Sequence, residues 1–154
     1  MKYILSIDPD TEKSGIAFLD LTTRQINVFT ASFPDLVDFL KGINTKELTT
    51  VIVEAGWLNQ SNWHVNPKDS KRLAASKGNA VGRNHETGRK IIEMAKHYGY
   101  KVIEQKPLKK IWKAGKISHE EISKFIPGFP GHSNQDGRDA AYIAWTYAGF
   151  PIKI

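Results

Sequence analysis

Four carboxylates stand where stretches of regular structure should end. Asp8 closes the apolar run YILSI, Glu54 closes TTVIV, and Asp136 and Asp139 lie three residues apart in NQDGRDAAYIAW. Acids three apart on a helix share one face. If the strands ending in Asp8 and Glu54 are sheet neighbours, these two stand side by side and all four acids could converge. Four like charges at one point repel strongly, and a chain without cysteine offers hard oxygen donors that suit Mg²⁺ or Mn²⁺. Two such ions about 4 Å apart would clamp a scissile phosphate, one activating water and the other stabilising the leaving oxygen. Each acid also has a structural reading. Asp8 precedes Pro9 and can start a turn. A negative charge at Asp136 is favoured near a helix N-terminus, and Asp139 can pair with a nearby Lys or Arg. Glu54 follows a buried run, where desolvation is costly unless a cation meets it.

The elements that must carry these acids are legible from periodicity. Lys2 to Asp8, Gly15 to Leu21 and Gln25 to Ser32 alternate and are β-rich, separated by turn-rich DPDTEKS and by TTR, a three-strand meander. Pro34 opens a short helix whose apolar residues Leu36, Val37, Phe39 and Leu40 recur at helical spacing until Gly42. Thr49 to Val53 is a continuous apolar run, as for a strand buried on both faces. A polar, Trp-bearing stretch follows, and the spacing of Val81, Ile91, Ile92, Met94 and Ala95 predicts a long helix from Asn79 to His97, stopped by Gly99. Tyr100 to Glu104 reads as a strand, Leu108 to Lys113 and Ser118 to Phe125 as short helices, and Asn134 to Tyr147 as a final helix. Ser118 and Glu121 are in capping-box register. Hairpin strands first and helix-separated strands later imply an α/β fold, a mixed sheet covered by helices.

With 154 residues, 40% of them hydrophobic, the chain suits one domain over 1–154 with a core large enough to need no disulfides. The apolar start MKYILSI is too short for a signal segment and no run reaches membrane-spanning length, so a soluble, cytoplasmic protein is expected. The net charge of +6 is unevenly placed. Residues 1–67 hold five basic and eight acidic side chains, residues 68–116 fourteen and four, and residues 117–154 three and four. A central basic block interleaved with aromatics is the footprint of a phosphate-backbone binder, although a solvated helical face gives a similar count.

The series SIDPDTEKSGIAFLD, VIVEAGW, KVIEQKP and NQDGRDAAYIAW resembles, in order and over nearly the whole chain, the RuvC family of Holliday-junction resolvases within the RNase H-like superfamily. Its most specific part is the combination of IDP…SG on the first strand, VE on a buried strand and a terminal D-x-x-D-A-A helix. The resemblance implies an RNase H-like mixed five-stranded sheet flanked by helices. It implies that Asp8, Glu54, Asp136 and Asp139 form an acidic site for two Mg²⁺ ions, which Mn²⁺ can replace, with Asp8 central to both. Activated water would attack a DNA phosphodiester and leave 5′-phosphate and 3′-hydroxyl ends. Asp10 departs from the glycine usual after this motif, as an outer ligand or a turn residue.

Trp57 stands three residues past Glu54, where the family carries an aromatic associated with junction bases; its alternative is core burial. Trp63 is a second candidate, in a stretch that Asn59, Gln60, Asn62 and His64 make polar. Lys106, Lys109, Lys110, Lys113 and Lys116 occupy the region in which the family places phosphate-binding lysines. His119 stands where another lysine is common. Arg83, His85 and Arg89 are spaced to project from the long helix toward one side, for DNA or for solvent. The two-fold symmetry of a four-way junction implies a homodimer, with the helix from Asn79 to His97 as the chosen interface.

The leading reading is therefore a metal-dependent endonuclease for four-way or otherwise branched DNA. An RNase H-like nuclease for RNA or RNA–DNA hybrid shares the four acids and differs in substrate. A non-catalytic branched-DNA binding module would have no reason to keep mutually repelling carboxylates. A sugar-kinase-like ATPase of this superfamily would need a second lobe for which 154 residues leave no room.

Overall fold

A computed structural model of the 154-residue chain describes residues 1–59, 66–112 and 115–154. Five strands, β1 (Tyr3–Asp8), β2 (Ser14–Asp20), β3 (Ile26–Ala31), β4 (Thr49–Glu54) and β5 (Lys101–Gln105), form one sheet in the order β3-β2-β1-β4-β5. The β1–β2 and β2–β3 pairs are antiparallel, whereas β4 joins β1 in parallel and β5 joins β4 in parallel. This is the expected mixed α/β sheet flanked by helices, with strand limits within one residue of those read from the sequence. The helices are α1 (Phe33–Gly42), α2 (Lys71–His97), α3 (His119–Ser123) and α4 (Gln135–Tyr147).

Strand alternation divides the core between the two faces of the sheet. Ile4, Ala17, Leu19 and Ile52 face α4 together with Trp112, Ile122, Phe125 and Trp145. Leu5, Ile7, Ile16, Val51 and Val53 face α1 and α2, where Leu36, Leu40, Ile91, Ile92 and Ala95 meet them. Burying each such Leu or Ile contributes about 1.5–3 kcal/mol before entropy is charged against it. Continuing the alternation one step past the core places Asp8 and Glu54 on the α4 face, in line with Ile4 and Ile52.

Two parts of the chain depart from the periodicity reading. The long helix begins at Lys71, eight residues before the expected Asn79, with the Ser70 hydroxyl accepting the Leu73 N–H at 3.1 Å. Its first turns are built of good helix formers (KRLAAS) and bury nothing, so no apolar stripe announced them. Only Gly88, Ile91, Ile92 and Ala95 of α2 are buried. That stripe is taken up by the sheet, which leaves the other faces of the helix outward. The second departure is 108–112, which is not helical. Trp112 is buried there, stacked on Phe125 at 6.0 Å and edge-on to Tyr142, while Ile111 is left exposed. The core holds this segment by its side chains instead of by a helical face. The short helix at Ser118 has its capping box as expected, Ser118 Oγ accepting the Glu121 N–H and Glu121 Oε2 the Ser118 N–H.

α4 lies close on the sheet because the contact is made of small residues. Ala140, Ala141 and Ala144 are fully buried, and the Ser6 hydroxyl donates to the Ala140 carbonyl at 2.5 Å. Gly15 pairs with Asp8 across β1 and β2. A Cβ on Gly15 would fall well inside contact distance of the Asp136 carbonyl and 2.9 Å from the Gly137 nitrogen. Gly15→Ala should therefore push the start of α4 off the sheet and destabilise the protein by about 1–3 kcal/mol, as overpacking against backbone does. Urea unfolding checks this against Gly42→Ala, where an added Cβ meets nothing within 4 Å and stability should hold.

Candidate functional site

Asp8 and Glu54 end adjacent parallel strands, since Ile7 and Val53 are register partners immediately before them. α4 crosses above with its N-terminus over Gly15. Asn134 caps it, its Oδ1 accepting the Gly137 N–H at 2.8 Å, which fixes Asp136 in the first turn and Asp139 one turn on. The structure thus brings together all four acids expected from the sequence. Asp139 is 9% exposed.

Burial and neighbouring charge raise the proton affinities of three of them. Burial, then the charges of Glu54, Asp139 and Asp136, push the Asp8 carboxyl well above its ordinary value of 3.8. Burial raises Glu54 as well, against the opposing pull of Lys110 and a hydrogen bond with Asp8. Asp136 is raised by burial and by the charges of Asp10 and Asp139. Asp10 itself is a turn residue, with Oδ2 accepting the Glu12 and Lys13 N–H groups at 3.0 and 3.4 Å.

Lys110 is the cation in this cluster. Its Nζ lies 2.6 Å from Asp139 Oδ1, with the two side chains 21% and 12% exposed. Gln135 Nε2 donates to the same oxygen at 3.0 Å. Arg138 holds Gln135 in turn, NH2 to Oε1 at 3.1 Å, and is tied to the carbonyls of Ile117 and Ser133 at 2.9 Å each. Gln135 and Arg138 were missed in the sequence, where nothing but their place beside the two aspartates marks them. Among the lysines expected around phosphate, Lys110 is the one turned inward to Asp139, a direction that a sequence does not show.

The donor set would suit hard divalent cations: the candidate donor atoms are carboxylate oxygens, and the negative charge exceeds what one lysine can balance. As they stand, no three acids or histidines among the described residues gather around a common ion position. The fit is one of chemistry and neighbourhood, with the cation place at Asp139 held by an ammonium group.

The remaining candidates lie around this centre. Trp57, in a short 3₁₀ turn (Gly56–Leu58) after β4, is half-buried against the α1/α2 face. Its Nε1 donates to Glu104 Oε1 at 3.1 Å, and the Arg89 guanidinium lies over its ring, 4.9 Å from the centroid. Gly88 makes room for it: a Cβ there would come within 2.8 Å of Trp57 Cζ3 and 3.2 Å of Pro9 Cγ. Gly56 lies equally close to His85, whose ring is edge-on to Trp57 at 6.0 Å. Asn84 Oδ1 accepts from the Thr11 N–H and hydroxyl at 3.1 and 2.7 Å. α2 therefore clasps the loops that follow both Asp8 and Glu54. Arg83, Lys106, Lys109 and Lys116 are exposed, and His119 Nδ1 is 2.7 Å from Ser133 Oγ. Trp63 and Lys113 lie outside the described residues.

The raised carboxyl values have a consequence for metal-free stability. A carboxyl raised on folding binds more protons folded than unfolded, so its stability contribution is complete below the unfolded value and is lost as pH rises through the folded one. For Asp8 that window opens near 3.8 and extends upward. Asp8→Asn should be more stable than wild type at neutral pH in EDTA, by on the order of 1 kcal/mol or about 2–4 °C in Tm for a chain of this size. At the acid end of the window the two should converge. Thermal unfolding at a series of pH values reads the effect; an Asn variant weaker at every pH would mean that the carboxylate is favourably housed.

No family model matches the chain, and no curated protein does. Among solved structures it is similar to T. thermophilus RuvC in complex with a Holliday junction substrate, with a TM-score of 0.51 over 96% of this chain and 93% of that one at 13% identity. Likeness at this identity speaks to architecture: the chain has a RuvC-like, RNase H-like fold.

Proposed function

We propose that this protein is a divalent-metal-dependent endonuclease that hydrolyses phosphodiesters in branched DNA, four-way junctions among them. The observation that supports the proposal is the nearness of Glu54, Asp136 and Asp139 to Asp8, at the carboxyl ends of β1 and β4 and the start of α4, with Asp8, Glu54 and Asp136 raised by burial and by neighbouring acids. A fold spends stability on such a cluster when cations are to be held there. The likeness to a RuvC solved on a Holliday junction supports the substrate class.

The four carboxylates, with Asp8 flanked by the other three, would hold Mg²⁺ or Mn²⁺. Bound divalent ions supply activation of water and neutralisation of the leaving oxygen. The chain does the rest. Gln135, fixed by Arg138, orients Asp139, and the Ser6 hydroxyl keeps α4 in register with β1. Exposed Lys106, Lys109 and Lys116 offer point charges to phosphates around the site. Arg83 and Arg89 extend that surface along α2. Trp57 would offer a stacking platform to a junction base once its ring is free of Arg89. Two copies would place two such sites on a two-fold symmetric junction.

A panel of labelled four-way junction, flap, duplex and RNA–DNA hybrid substrates tests the reading. Cleavage should require Mg²⁺ or Mn²⁺, favour the junction, and fall at least about a thousand-fold in Asp8→Asn, Glu54→Gln, Asp136→Asn and Asp139→Asn, since each amide keeps shape but loses the charge that holds an ion. Gel-shift affinity for the junction should survive in all four. Full cleavage by any two of them would remove the site, and preference for the hybrid would reassign the substrate. Sedimentation on junction DNA should show two copies.

A further inference from the structure

We propose that Lys110 is an exchangeable counter-ion of the acidic site: it occupies Asp139 while no divalent cation is bound, and leaves for a substrate phosphate when one is. This rests on the metal-dependent reading above and adds to it a second position for a single side chain.

Three observations point to exchange instead of a fixed ion pair. First, the pair stands inside the acid cluster. Lys110 shares Asp139 Oδ1 with Gln135 Nε2, and its charge is felt at both Asp8 and Glu54. A divalent ion and an ammonium cannot share one carboxylate oxygen without strong like-charge repulsion, so ligation through Asp139 Oδ1 requires Lys110 to move. Second, Lys110 can move without disturbing the fold. It belongs to the non-helical segment 106–112, which is anchored on both sides. Tyr142 donates to the Lys109 carbonyl at 3.4 Å, and Trp112 is stacked in the core. The swing needs only rotations along a flexible four-carbon stem. Third, its alternative station is close by. Lys106 and Lys109 are exposed on the same segment, so a backbone phosphate held by them passes within reach of a released Lys110 ammonium. Asp139 keeps Gln135 in either state, which preserves its orientation.

The device keeps the site charge-compensated whether or not metal is present, and it makes metal binding and phosphate binding favour each other. The test uses full-length protein without DNA, in EDTA and in saturating Mg²⁺. A brief pulse of an amine-acylating reagent is followed by mass spectrometry of each lysine. Lys110 should react more slowly than Lys106 and Lys109 in EDTA and approach their rates in Mg²⁺, while Lys2 and Lys71 stay constant. Independently, Lys110→Met should bind Mg²⁺ about ten-fold more tightly by calorimetry, the size of effect a lost charge-assisted bond can produce, and Lys110→Arg should bind as wild type does. If Mg²⁺ raises the Tm of wild type but leaves Lys110 labelling unchanged, Lys110 is a fixed structural pair and the proposal is overturned, with the nuclease reading intact. If neither wild type nor Lys110→Met binds Mg²⁺ or Mn²⁺, both fall together. Should Lys110→Met not fold, the labelling of wild type decides alone.

Discussion

The closeness of α4 to the sheet is the constraint on which the rest of the site depends. Two acids belong to strand ends and two to a helix laid across them, so their meeting requires a helix axis nearer the sheet than large side chains would permit. Small residues supply that on both sides: Gly15, Ala17 and Ser6 below, Gly137, Ala140, Ala141 and Ala144 above. The Ser6 hydroxyl, bonded to the Ala140 carbonyl, sets the register one residue from Asp139 and two from Asp8. The apolar layer farther along the helix, with Trp145, Ile143 and Tyr142 buried, provides the free energy that offsets carboxylate repulsion at its start. A looser interface would relax the repulsion by letting the acids part, and with it would go any capacity to gather cations.

From the other face, α2 does for the loops what α4 does for the acids. Its tight contacts fall at Asn84, His85 and Gly88, against Thr11, Gly56, Trp57 and Pro9, all within three residues of Asp8 or Glu54. The two acidic strand ends are therefore braced from behind by one helix. Trp57 is part of that brace, with its indole N–H on Glu104 and Arg89 on its ring. A base that stacked on Trp57 would do so in exchange for the Arg89 contact, replacing a cation–π interaction with a π–π one of similar size.

The sheet and the four acids were legible because each rests on a strong local rule. Alternation fixes which strand residues share a face, and an i, i+3 pair on a helix cannot point apart. What escaped lacked such a rule. The first turns of α2 are polar on every side, so only propensity and the Ser70 cap could have announced them. The 108–112 segment carries apolar residues at helical spacing, but Trp112 and Tyr142 claim it for the core. Lys110 was one lysine among several in a basic block, and only the fold could turn it inward to Asp139 while Lys109 and Lys106 stayed outside. Gly15 was part of the recognised SG pair, yet its need for a bare α-carbon follows from a helix that arrives 121 residues later.

A cluster of four acids is electrostatically the wrong surface for a polyanion, so the proposed nuclease would have to draw its substrate in by other means. The arrangement of charge here answers that difficulty. From Lys71 to His85, α2 holds Lys71, Arg72 and Arg83 together with Lys77, which is paired with Asp69 at 2.7 Å, and no acid of its own. Because the helix grips the sheet only from Asn84 onward, this length of about 20 Å extends past the strand ends on the side where Asp8 and Glu54 stand. Lys106, Lys109 and Lys116 are exposed on segments that leave the same region of the fold. The acids thus sit in a small negative pocket within a wider positive surround. At separations beyond a few ångströms a phosphate backbone feels the surround, since the acids are partly cancelled by Lys110 and outnumbered by the exposed lysines and arginines. Only at contact does the local negative charge dominate, and there the divalent cations of the proposed reading would reverse its sign.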